Sequence, residues 1–103
     1  MLDFSLIEGF DWDTGNATKS ERKHGVSQHE AEKVFFNLPL LLLDDIAHSQ
    51  IESRMQAMGR TDGDRKLHIT FTLRSSGTLL RVISAREMSV RERQTYDDQI
   101  RKN

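Results

Sequence analysis

The sequence predicts an α+β fold, an antiparallel sheet of four to five strands with two helices before it and one after. Three observations predict it. Apolar and polar residues alternate strictly through KLHITFTLR, residues 66–74, which is the period of a half-buried strand. Two capping boxes, Ser27 with Glu30 and Ser89 with Glu92, each open a helix. Short glycine-containing turns separate the apolar runs between them, so consecutive strands pair antiparallel. At 103 residues the chain is read as a single domain covering 1–103.

The elements follow in order. LDFSLIEGFDW, from Leu2 to Trp12, predicts a short first strand. Asp13 can cap a helix running to His24, although Gly15 and Asn16 weaken its first turn. Arg22, Lys23 and His24 form a basic last turn that suits the helix dipole, and Gly25 can take the left-handed conformation that ends a helix. Ser27 opens the second helix, from Gln28 to about Asn37. Its apolar face is Ala31, Val34, Phe35 and Leu38, and Pro39 stops it.

From Leu40 the pattern becomes that of strands. Leu40 to Leu43 is a short buried strand, IESRMQAMG alternates from Ile51, and KLHITFTLR and LLRVISAR complete a meander. Gly63 and Ser75-Ser76-Gly77 mark the turns. The terminal helix after Ser89 has thin apolar content in Val90, Tyr96 and Ile100, so its far end is weakly anchored. Helices are expected on one face of the sheet.

Composition narrows the function. Hydrophobic residues are 36% and charged residues 30% of the chain, which is polar for a globular protein. The absence of cysteine excludes disulfides and thiolate sites and fits a reducing cytoplasm. Leu40–Leu43, the longest apolar run, is too short for a bilayer, and no signal-like pattern stands at the N-terminus. A cytoplasmic location with no membrane partner is expected. His24, His29, His48 and His68 lack ligand spacing, HEAEK is not HExxH, and no phosphate-cradling glycine loop is present. No metal and no cofactor are therefore expected.

Charge is distributed unevenly. Residues 1–59 hold five Lys/Arg against ten Asp/Glu, and residues 60–103 hold ten against six, eight of those ten being arginine. A solvated surface explains this, and so does an anion-binding face. A turn at Ser76-Gly77 sets the register. Leu73 then faces Leu80 and Phe71 faces Val82, while Arg74 faces Leu79 and Thr72 faces Arg81 on the other side. His68, Thr70, Glu52, Arg54 and Gln56 join that polar side. Arg86 falls on the opposite face from Arg81; a bulge would bring it across, or it pairs with an acid near the terminal helix. Trp12, Phe10, Phe35 and Phe36 read as core more readily than as a base-stacking platform.

FDWD, RKHGVS, HSQIESR, the FTLR strand and RVISAR before a capped helix together resemble the BrnT family over about residues 10 to 97. The resemblance implies a ribonuclease toxin of a type II toxin–antitoxin system with a RelE-like, microbial-ribonuclease-like fold, cleaving RNA without a metal and arresting translation. It also implies a partner, a cognate antitoxin that is a small DNA-binding protein of ribbon–helix–helix type, and a higher-order toxin–antitoxin complex. The terminal residues 97–103 and the Leu40–Leu43 strand are its expected docking edges. The family's polar signature falls on Lys23, His24, Glu52, Arg54, Arg74, Arg81 and Arg86. Asn16 and Ser20 stand where family members usually carry lysine and asparagine, with Lys19 a substitute one turn away.

RNA is cleaved without metal when its 2′-hydroxyl attacks the adjacent phosphorus. Arginines suit the crowded dianion that forms. Expected on the scissile phosphate are Arg54, Arg74, Arg81 and Arg86, with Glu52 as base and His24 or His68 as acid. Lys19, Lys23 and His68 are further substrate-binding candidates. Each has a plainer reading: Glu52 with Arg54 as a surface ion pair, Lys23 and His24 as helix-dipole partners, His68 as a structural hydrogen bonder. A non-catalytic nucleic-acid-binding module, or a decayed toxin, is the alternative function.

Overall fold

A computed structural model describes residues 4–44 and 53–102. After a 3₁₀ turn at Phe4–Leu6 come β1 (Gly9–Phe10), α1 (Lys19–His24), α2 (Gln28–Val34), β2 (Leu41–Asp44), β3 (Met55–Arg60), β4 (Lys66–Arg74), β5 (Leu79–Glu87) and α3 (Val90–Lys102). The five strands form one sheet in the order β1-β5-β4-β3-β2. Strands β2 to β5 make the antiparallel meander, and β1 joins the far edge parallel to β5, so the sheet is mixed. No helix among the described residues is long and apolar enough to cross a membrane.

Helix signals act locally as their chemistry requires. Gly25 ends α1 in the left-handed region at φ 68°. The Ser27 side chain accepts from the Glu30 backbone N–H while the Glu30 side chain accepts from that of Ser27, a complete capping box.

The helix expected from Asp13 starts only at Lys19. The reason is Asn16, which is buried and hydrogen-bonded outside any helix. Its Nδ2 donates to the carbonyls of Asp11 (3.1 Å) and Val82 (2.8 Å), and its Oδ1 accepts from the Asp13 backbone N–H. The first strand is likewise shorter than expected. The strand read from Ile51 begins at Met55, with Ile51 and Glu52 outside the described residues.

Alternation sorts the sheet into two faces. Ala57, Leu67, Ile69, Phe71, Leu80, Val82 and Ala85 point one way and form the main core with Val26, Ala31 and Val34 of the α1–α2 region. The Val, Leu, Ile and Phe side chains among them each contribute about 1.5–3 kcal/mol when fully buried. Gly59 lets α2 approach closely, since a Cβ there would lie 2.9 Å from Val34 Cγ1.

The opposite face is not bare along its whole length, contrary to the expected one-sided helix layer. Met58 pairs with Leu41 and His68 and so shares their face. Tyr96 of α3 packs there with Met58, Met88 and Leu41 as a second, smaller core. Tyr96 Oη also donates to the Pro39 carbonyl. α3 therefore covers the Met58 end, and the rest of the face stays open. Trp12, Phe10 and Phe35 pack against the main core as expected, whereas Phe36 is 71% exposed.

Candidate functional site

The β4–β5 ladder begins in the expected register, with Arg74 opposite Leu79, Thr72 opposite Arg81 and Phe71 opposite Val82. It then shifts by one residue, so that Thr70 faces Ser84, His68 faces Arg86, and Ile83 is the bulged residue. Without the bulge, Arg86 would turn to the core face. With it, Arg86 stands on the same side as Thr72, Thr70 and His68.

An open cleft of about 340 Å³ lies on this face, within the range of small-ligand sites, roughly 300–1,000 Å³. Gln56 of β3, His68 and Thr70 of β4, and Ile83, Ser84 and Arg86 of β5 line it, with Lys19 of α1 and Arg54 from the segment entering β3. Main-chain partners hold two approaches to it. Lys19 Nζ donates to the carbonyl of bulged Ile83 (3.4 Å), and Ser20 Oγ accepts from the Ala85 backbone N–H (2.8 Å). Asn16, Lys19 and Ser20 thus satisfy the outer edge of β5 beyond β1, where a further strand would otherwise be needed. Beside β3, Thr72 Oγ1 donates to the Ser53 carbonyl (2.6 Å), fixing the backbone next to Arg54.

Charges are organised around one carboxylate at the α3 end. Arg86 Nη1 and Nη2 donate to Glu92 Oε1 and Oε2, both at 2.8 Å. The Arg86 guanidinium, helped by the Ser89 backbone N–H, holds Glu92 at about 2 against the opposing effect of burial. His68 Nε2 lies 3.1 Å from Gln56 Oε1 and 3.7 Å from Glu92 Oε2. Both neighbours of Nε2 are acceptors, which favours the tautomer protonated on that nitrogen. Three cationic side chains and an imidazole therefore meet in an open cleft, an arrangement suited to gripping a phosphate and moving a proton beside it.

Of the residues expected from sequence, Lys19, Arg54, His68 and Arg86 converge on the cleft. Arg81 shares the face but is engaged by the loop before α1. Its Nη1 and Nη2 donate to Asp13 (2.9 and 3.1 Å), and Asp11 lies 3.4 Å away. That pairing raises the Arg81 pKa and lowers that of Asp13. Arg74 stands exposed at the end of β4. Lys23 and His24 are exposed in the last turn of α1, and neither lines the cleft. Glu52 lies outside the described residues. Among the described residues, no group of three or more His, Cys, Asp or Glu is placed to hold a metal ion.

Sequence reasoning missed Glu92 as a member of the site. It reads as the helix-capping partner of Ser89, and it is that: Glu92 N donates to Ser89 Oγ and Ser89 N to Glu92 Oε1. The signal for its second role was the acid expected near the terminal helix to pair with Arg86.

A family model matches residues 12–92 of the chain, most of its length, and that family is described as ribonuclease toxin, BrnT, of type II toxin-antitoxin system. No curated protein matches at a significant level.

Proposed function

The chain belongs to the BrnT family of ribonuclease toxins of type II toxin–antitoxin systems, and on that premise we propose that its sheet cleft cleaves RNA through the RNA's own 2′-hydroxyl, without a metal ion. The observation that carries this reading is the convergence of Lys19, Arg54, His68 and Arg86, from separate elements, on one open cleft.

The scissile phosphate sits among Lys19, Arg54 and Arg86, whose donors take up the charge that builds on the non-bridging oxygens. A base removes the 2′-hydroxyl proton, the oxygen attacks phosphorus, and the bond to the 5′-oxygen breaks. His68 donates the proton to that leaving oxygen; it lines the cleft, whereas His24 does not. Glu52, two residues before Arg54, is assigned the base. Arg74 extends the cationic track along the same face. Arg81 holds the Asp11–Asp13 loop that leads into α1, and so supports Lys19. Lys23 and His24 meet RNA outside the cleft.

A toxin of this class has a cognate antitoxin. We assign it to the small ribbon–helix–helix DNA-binding proteins, acting by neutralisation in the cytoplasm. β2 is an edge of the sheet with Leu43 exposed, and it is one docking edge; the exposed end of α3 is the other.

The test is incubation of the purified protein with RNA in EDTA. Fragments ending in a 2′,3′-cyclic phosphate and a 5′-hydroxyl are expected. RNA binding without cleavage would replace this reading with that of a non-catalytic module.

A further inference from the structure

We propose that Glu92 is a positioning residue of the cleft, fixing the Arg86 guanidinium and the His68 imidazole relative to each other so that both meet the same phosphate. This rests on the ribonuclease reading of the cleft.

The geometry is that of a rigid reference point. Both Glu92 oxygens are held. Oε1 accepts from Arg86 Nη1 (2.8 Å) and from the Ser89 backbone N–H (2.9 Å). Oε2 accepts from Arg86 Nη2 (2.8 Å) and faces His68 Nε2 at 3.7 Å. Arg86, which it grips, and His68, whose Nε2 is shared between Glu92 Oε2 and the nearer Gln56 Oε1 (3.1 Å), lie directly opposite each other on β4 and β5. The backbone beneath the carboxylate is fixed as well, because Glu92 belongs to the first turn of α3 and Tyr96, one turn on, is buried against Met58.

A two-pronged carboxylate sets the plane of a guanidinium, which a single contact does not. Arg86 Nη1 also donates to the Glu87 carbonyl (3.1 Å), so the group is tied on its strand side too and presents its remaining donors in one orientation. Glu92 stays ionised well into the acid range. It is therefore a fixed charge and a poor proton carrier, which separates its role from that of an acid or base.

The plainer alternative is that Glu92 only caps α3. Two substitutions separate the readings. Glu92→Gln preserves length and the acceptor toward Ser89 but replaces the second oxygen with a donor facing Arg86 and His68. Ser89→Ala weakens the same cap and leaves the carboxylate in place. On an RNA substrate, Glu92→Gln is expected to lower kcat about 10- to 100-fold, as loss of a ligand-orienting partner does, with KM changed less. Ser89→Ala is expected to keep the wild-type kcat despite a lowered Tm. The His68 ring resonances should shift in Glu92→Gln and stay in place in Ser89→Ala.

Equal kcat in both variants, or unmoved His68 resonances in Glu92→Gln, overturns the inference while leaving the ribonuclease reading intact. Failure of the wild-type protein to cleave RNA overturns both. Should Glu92→Gln not fold, Glu92→Asp, which keeps the charge but withdraws it by one methylene, is read by the same two measurements.

Discussion

Arg86 lies directly across from His68 in the β4–β5 ladder, although alternation counted from Arg81 places it on the other side of the sheet. One extra residue, Ile83, makes the difference. It lets a single strand send Val82 and Ala85 into the core and Ser84 and Arg86 into the cleft. The site depends on this local irregularity and on three supports: the close seat of α2, the side-chain seal along β5, and the Arg86–Glu92 pair.

The seat of α2 can be tested at Gly59. A Cβ there would meet Val34 Cγ1 at 2.9 Å and Leu40 Cδ1 at 3.4 Å, and Val34 is fully buried and stiff at χ1. Gly59→Ala is expected to destabilise the fold by about 1–3 kcal/mol, the usual range for overpacking a filled core. Urea unfolding measures this as a lower midpoint at unchanged slope.

The β5 seal can be tested at Asn16. Asn16→Ala removes the donors to the Val82 and Asp11 carbonyls and the acceptor for the Asp13 N–H. Leaving such groups unmatched costs about 1–3 kcal/mol, and amide exchange in residues 11–20 should accelerate. A lysine at position 16 is expected to destabilise the loop too, because an ammonium cannot supply the Oδ1 acceptor.

The Arg86–Glu92 pair predicts an acid limb. Glu92 sits at about 2 in the folded protein, below its usual 4.5. Its contribution to stability is therefore complete above about pH 4.5 and disappears as the pH falls toward 2. The stability difference between wild type and Arg86→Ala should follow that course, wide at neutral pH and narrowing between about pH 4.5 and 2. Asp13, lowered by Arg81, adds to the same limb. Chemical denaturation at a series of pH values checks it.

Much of this was legible in the chain. Both capping boxes, the left-handed Gly25 and the β4–β5 register near the turn follow from rules acting within a few residues, and each is present. The late start of α1 was foreshadowed by Gly15 and Asn16, but the fate of Asn16 depends on Val82, sixty-six residues away. The parallel partner of β1 and the side of the sheet taken by α3 are likewise set by distant packing. Tyr96 chose its face by finding Met58, a residue whose sequence context reads only as one more strand position. At the site, Arg54 and His68 were readable as polar residues on one face and Lys19 only through the family resemblance, whereas the bulge that recruits Arg86 left no local mark. Glu92 was hidden behind its own capping role.

Lys19, Arg54, His68 and Arg86 line the cleft in which RNA cleavage is proposed to occur. The most direct measurement compares the RNA cleavage rate, in EDTA, of wild type with that of folded Arg54→Ala and His68→Ala proteins. Each substitution is expected to slow cleavage by about 10²-fold or more, as loss of a charge-stabilising donor or a positioned proton donor does. Wild-type rates in both variants, with their folds intact, would contradict it.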